Sequence, residues 1–297
     1  MREIVCKMKN QIILNKIHEL PTLSPLVYEL NQLINDPMSS LTEVENLISN
    51  DQIISSKILK LSNSAFYSVS GGVSSLKRAI SILGFNTVNE VALSMNVIKM
   101  FKKDDAFFNI TRFWQHSIGV AYCAMSLDEY LNNGKNSGEL FSCGLLHDIG
   151  KIAFFSINSK EFVDLYLKAE DNKTSILIEE AKEGYNCALI GSELEKRWKL
   201  PLLIQKTTFY SGNSYSKTKQ DYSLDQEILQ AIDIVNLANT LINKMNFGND
   251  GTFDNNIGID PLIIQRLKLK DQDLQKINML VMESLQKAEK FLHVINN

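Results

Sequence analysis

Residues 143–155 read CGLLHDIGKIAFF, an apolar stretch interrupted by His147, Asp148 and Lys151. A histidine beside a carboxylate supplies two of the residue types that hold a divalent ion able to activate water. The small residues Cys143 and Gly144, one turn earlier on a helix, leave room beside the His147 ring. Lys151 stands three residues after Asp148, so an ordinary ion pair on a helix surface accounts for those two equally well.

Further ligands must come from elsewhere in the chain, and only four histidines exist, at 18, 116, 147 and 293. On a helix over 111–125, Phe113, His116, Val120 and Ala124 share one side. His116 is therefore either a ligand or a hydrogen-bonded core histidine.

Around these residues the periodicity is helical throughout. Ile53, Ile54, Ile58 and Leu61 form one stripe, and Thr42 with Glu45 has the spacing of a capping box, which predicts a helix start near residue 42. Pro21, Pro25, Pro37, Gly71-Gly72 and Gly84 punctuate a run of short helices up to about Phe101. Longer helices are predicted at roughly 110–132, 139–156, 174–183, 186–199, 224–246 and 272–295. The last carries Leu274, Ile277, Val281, Leu285, Ala288 and Leu292 on one face.

Two segments, 211–223 and 247–258, are rich in Ser, Gly, Asn and Asp and read as polar surface loops. Asp250 and Asp254 in the second lack the spacing of a calcium-binding EF-hand loop, so the loop is expected to be plain surface. With no strand pattern, repeat or low-complexity tract, the chain is all-α.

The 297 residues, 44% of them hydrophobic, suffice for a large core. With 31 Lys+Arg against 34 Asp+Glu and no block of like charge, neither nucleic acid nor an anionic membrane is expected as a partner. No uninterrupted apolar run approaches the roughly 18 residues of a membrane span, and the first residues lack a signal-peptide core, which predicts a cytoplasmic protein. Cys6, Cys123, Cys143 and Cys187 show no CxxC spacing and read as buried thiols.

Several blocks, in order, carry a family resemblance: LPTLSPLVYELNQLIND, DQIISSKILKLSNSAFYS, SLKRAISILGFNTVNEVAL, FWQHSIGVAYCA, LFSCGLLHDIGK and ELEKRWKLP. Over roughly residues 15 to 245 the chain resembles the HD-related output domain (HDOD) family of bacterial signalling proteins, within the HD superfamily of metal-dependent phosphohydrolases. The NSAFYS block and the WQHS…LLHDIGK pair are its most specific pieces. The resemblance implies an HD-like helical bundle at 106–246, preceded by an N-terminal helical part at 1–105. A loop and amphipathic helix at 247–297 are expected to pack on that core.

In catalytic members of the superfamily the resemblance implies four metal ligands, of which His116, His147 and Asp148 match the first three. The fourth, a distal aspartate, aligns with Asn239 in AIDIVNLANTL. An amide is a neutral and weaker ligand for a hard cation. Asp233 cannot stand in, because six residues place it about 240° around the helix from Asn239, on an expected solvated face. Asn236 and Asn239 lie among Ile232, Val235 and Ile242 and are expected to point inward. Two-metal relatives carry further histidines where this chain has Asn186 and Phe209-Tyr210, and they carry a Gly-Tyr-Pro triplet that this region lacks.

The expectation is a non-catalytic signalling module that acts by binding a protein partner or a small-molecule ligand, with no cofactor and a vestigial or weak pocket at His116, His147 and Asp148. Its input is expected to arrive through that partner or ligand. The alternative is a residual single-metal phosphohydrolase acting on a nucleotide or other phosphate ester. That reading has one divalent ion on His116, His147 and Asp148, and Lys151 beside a phosphate. A third reading makes the same residues hydrogen-bonded core structure.

Overall fold

A computed structural model of the chain describes residues 2–64, 72–101, 105–134, 136–211, 224–254 and 256–296, with side chains except those of residues 2–8 and 35. Helices fill most of it: α1 (Arg2–Lys16), α2 (Pro25–Asn35), α3 (Leu41–Ser49), α4 (Gln52–Ser62), α5 (Leu76–Met100), α6 (Ile110–Asn132), α7 (Ser137–Leu146) and α8 (Ile149–Ile157). Then follow α9 (Ser159–Asp171), α10 (Ile176–Glu183), α11 (Cys187–Arg197), α12 (Leu202–Phe209), α13 (Gln226–Lys244), α14 (Pro261–Arg266) and α15 (Asp271–Asn296). Extended pairing among the described residues is a lone antiparallel bridge between Ser175 and Thr252.

The helix starts follow from local chemistry. Ser40 and Glu43 form the capping box of α3, two residues before the Thr42–Glu45 pair expected to do so. Asp51 caps α4 by accepting from the N–H groups of Ile53 and Ile54. In α4 the buried stripe is Ile54, Ile58 and Leu61, while Ile53, expected within it, is 55% exposed. Gly84, at φ 78°, breaks the helical path inside α5, as its place between predicted helices requires.

The chain forms two compact units: residues 1–21 with 101–288, and residues 22–100 with 289–297. The crossings lie at Pro21/Thr22, Met100/Phe101 and Ala288/Glu289, so α15 gives its last residues to the smaller unit. That unit is a small helical cluster around Val27, Leu30, Val44, Ile48, Ile58 and Val91, all at or near zero exposure.

The larger unit holds α6, α7, α8, α11 and α13 around a densely buried interior. Two glycines set its closest approaches. A Cβ on Gly144 of α7 would sit 2.6 Å from Ala121 Cα of α6, and one on Gly150 of α8 would run into the backbone carbonyl of Cys187 in α11. Only glycine lets α7 and α8 lie this near their neighbours, and the short link between them, His147-Asp148, is held from both sides. Phe154 and Phe155 of α8 pack with Phe108, Phe113 and Phe162, all five at most 1% exposed, with Phe108–Phe162 ring centroids 4.9 Å apart.

The single helix expected over 139–156 is two, broken at the His-Asp doublet. The helix α9, unforeseen in the sequence, is capped by Asn158, whose side chain accepts from Glu161 N–H. Ser137–Ile157 is, by length and average composition, apolar enough to cross a membrane, although no uninterrupted run suggested it; 89% of its apolar window is buried inside the protein, so it is core. Of the two expected polar loops, 211–223 lies outside the described residues except for Ser211, as do Gly71 and most of the NSAFYS block.

Candidate functional site

His116 projects from α6 into the interior with no exposed surface, and His147 and Asp148, at the α7–α8 junction, are 1% and 5% exposed. One ligand atom from each of these three residues lies within 4.8 Å of the others. The two imidazole rings are 5.6 Å apart, centroid to centroid. The triad that the resemblance implied is thus assembled in space.

Each ring is oriented by a carbonyl oxygen. His147 donates Nδ1–H to the Gly144 backbone carbonyl at 2.7 Å, which leaves Nε2 facing Asp148 Oδ2 at 3.2 Å without a well-aligned hydrogen bond. His116 donates Nε2–H to Asn239 Oδ1 at 3.0 Å, and the Asn243 amide donates to the same oxygen at 2.9 Å. His116 Nδ1 is left buried without a hydrogen-bond partner. Burial drives the His116 pKa down to about 4 against the pull of Asp250, so this ring is neutral near pH 7. For His147 burial is the largest single influence and lowers the pKa, but the charge of Asp148, its polar contact with the ring and the Gly144 carbonyl together raise it.

Lys151 sits in the middle of this constellation. Its ammonium donates to Asp148 Oδ2 at 2.7 Å and to Asp250 Oδ2 at 2.9 Å, with Lys151 and Asp250 each 1% exposed. The expected helix-surface ion pair is therefore a buried one, and Asp250 belongs to the centre instead of to a plain surface loop. Burial alone would lower the Lys151 pKa, yet the two adjacent carboxylates hold it above the usual lysine value. Asp250 is held far below the usual carboxylate range, because Lys151 and His116 more than offset its burial.

The loop reaches so deep through its backbone. Gly248, at φ +77°, passes against His116 N and Arg112 O, where no Cβ fits. Asn249 N–H donates to the Arg112 carbonyl at 2.9 Å, and the Arg112 guanidinium donates to the Gly248 carbonyl at 3.0 Å. Ile176 N–H donates to Gly251 O and Phe253 N–H to Thr174 O, both at 2.8 Å, and Asp250 Oδ1 accepts from Thr252 N–H. Sequence reasoning missed Asp250; the nearest signal was the pair of glycines, Gly248 and Gly251, flanking it.

The other expected positions have structural roles. Asn186 caps α11 by accepting from Leu189 N–H at 2.9 Å. Tyr210 packs with Ile228 and Ile232, with Phe209 against that cluster. Asn236 points inward and donates to the Tyr210 carbonyl. Asp233, expected on a solvated face, is 2% exposed and takes two bonds from the Arg266 guanidinium, at 2.6 and 2.7 Å.

A divalent ion does not fit these residues as they stand. The two orphaned ring nitrogens would suit one, but the Oδ2 atoms of Asp148 and Asp250 already hold an ammonium, and the distal position is an amide engaged by His116 and Asn243. A dication would have to share both carboxylates with a fixed positive charge.

A family model described as HDOD domain matches residues 20–214. An uncharacterized protein of Treponema pallidum (strain Nichols) is 24% identical over 202 residues, 68% of this chain and 39% of that protein, so the match spans well under half of that relative. Among solved structures, an HDOD domain protein of unknown function from Geobacter sulfurreducens superposes with TM-score 0.70 at 22% identity, over 93% of this chain and 98% of that one. A protein of Shewanella amazonensis SB2B provisionally named a phosphohydrolase gives 0.66 at 20%, over 96% and 97%. One from Marinobacter aquaeolei VT8 provisionally named a signal transduction protein gives 0.75 at 17%, over 100% and 67%. At these identities the likeness to the solved structures establishes the fold.

Proposed function

The chain belongs to the HDOD domain family, and from that premise we propose that it is a non-catalytic regulatory module of signal transduction. The reading rests on one observation: His116, His147, Asp148, Lys151 and Asp250 are between 0 and 5% exposed. A phosphate ester reacts only with groups it can touch. Residues of hydrolytic type enclosed on every side serve as an interior brace, and the module works through binding a signalling protein or small molecule elsewhere on its scaffold.

The second reading is a single-metal phosphohydrolase on His116, His147 and Asp148. Its support is the pair of buried ring nitrogens without partners, His116 Nδ1 and His147 Nε2. Elemental analysis of protein purified without chelator, combined with hydrolysis assays on a phosphomonoester and a phosphodiester with added Mn²⁺, separates the two. The regulatory reading expects no stoichiometric transition metal and no turnover above background. Stoichiometric metal together with turnover, both lost on His147→Ala, overturns it.

A further inference from the structure

The centre has the charge balance of an occupied cation site, with the cation supplied by the protein. Two carboxylates, Asp148 and Asp250, converge on Lys151 Nζ at 2.7 and 2.9 Å, and His147 Nε2 lies 3.2 Å from the same Asp148 oxygen. His116 Nε2 stands 3.9 Å from the Asp250 oxygen that the ammonium holds. Two acids and two imidazoles around one positive charge is the donor set of a divalent site. The ammonium stands between the two carboxylates.

We propose that Lys151 is the resident cation of this centre, and that Asp250, brought in by the 247–253 segment, supplies the second carboxylate in place of the one lost at Asn239. The inference rests on the regulatory reading and deepens it: the centre is closed permanently and without metal, so its integrity does not depend on ion supply.

The electrostatics give the proposal its handle. The ammonium already engages the Oδ2 atoms of both carboxylates, so a dication would have to share them with a fixed cation a few ångströms away. Removing the ammonium leaves two negative charges and two imidazoles in a buried centre, charges that a divalent ion neutralises. Lys151 thus masks a latent site, and a neutral residue in its place exposes that site.

The test compares Zn²⁺ and Mn²⁺ binding to the wild-type chain, Lys151→Gln, Lys151→Ala and Lys151→Arg, by dialysis with elemental analysis and by metal-dependent melting. Glutamine keeps length and a donor without the charge, so it guards against loss of folding in the alanine variant. Wild type and Lys151→Arg are expected to stay metal-free. Lys151→Gln and Lys151→Ala are expected to gain stoichiometric metal, with affinity raised on the order of tenfold or more and melting shifted upward by the ion. Adding Asp250→Asn to Lys151→Gln removes the gain.

Wild type binding metal as tightly as Lys151→Gln overturns the proposal, as does a folded Lys151→Gln that binds none. Turnover of a phosphodiester by wild type sinks the regulatory reading independently, whichever way the metal comparison falls.

Discussion

Lys151 Nζ and Asp250 Oδ2 lie 2.9 Å apart across 99 residues of chain, both 1% exposed, and this pair ties the 247–253 loop to α8. Removing one member of a buried pair strands the other charge, at a cost of about 3–5 kcal/mol. Asp250→Asn leaves Lys151 still paired with Asp148, so its cost is expected at about the lower limit of that range. Lys151→Met strands two carboxylates and is expected at about the upper limit. The double variant should lose less than the sum, as a double-mutant cycle by chemical denaturation would read. An Asp250→Asn cost within experimental error would mean that the loop does not hold the centre.

The same loop depends on Gly248, whose left-handed φ and contact with the His116 and Arg112 backbones exclude any side chain. Gly248→Ala is expected to destabilise by about 3 kcal/mol or more, since strain and backbone overlap add. Gly84 shares the positive φ but has open space around its Cβ position, so Gly84→Ala should cost about 1–2 kcal/mol. Gly258 has open space and no positive φ, and its alanine variant should stay within about 0.5 kcal/mol of wild type. Urea midpoints for the three variants test the order; equal midpoints would show that the 248 approach is not tight.

The helical architecture was legible because burial imposes a 3.6-residue period whatever the tertiary partners, and α6 runs Ile110–Asn132 as its stripe predicted. The break at His147-Asp148 was not legible. It arises from α7 and α8 being clamped on opposite sides at Gly144 and Gly150, contacts that lie outside the local sequence. His116, His147 and Asp148 followed from the family pattern, but Asp250 did not. A polar, glycine-containing segment reads as surface unless its backbone is known to be paired, here with Arg112, Thr174 and Ile176. Asp233 misled for the complementary reason, since the Arg266 that lets it be buried lies 33 residues away.

Glu180 is 4% exposed and its carboxylate accepts from Cys187 N–H at 3.1 Å, with burial raising its pKa to about 7. A carboxyl raised on folding favours the folded state below its unfolded pKa, and that contribution is lost as pH rises toward the folded value. Between about pH 4.5 and 7 the wild type should lose on the order of 3 kcal/mol from this group. His116 works oppositely, since its lowered pKa makes stability rise over much of the same window. The informative quantity is therefore the difference between wild type and Glu180→Gln, measured by denaturation across pH. The variant should gain relative to wild type as pH rises to 7, and a flat difference would rule out a raised Glu180.

Cys123, Cys143 and Cys187 are free and buried, and burial pushes the first two thiols up to about 12 and the third well above its ordinary value. Only the thiolate attacks a disulfide reagent, so at pH 8 the reactive fraction of each is on the order of one in ten thousand or less. Cys143 also accepts a bond from the Thr207 hydroxyl at 3.6 Å, which adds to its enclosure. In the native chain Cys123, Cys143 and Cys187 are accordingly expected to resist an aromatic disulfide reagent, and to react with it in denaturant. Because the three thiols sit in the unit that encloses Lys151 and His147, their release should follow global unfolding and be slowed by any condition that stabilises the fold. Fast labelling of Cys123, Cys143 or Cys187 in native buffer, located by peptide mapping, would show local opening of that unit, and with it a path by which solvent and ions reach the centre.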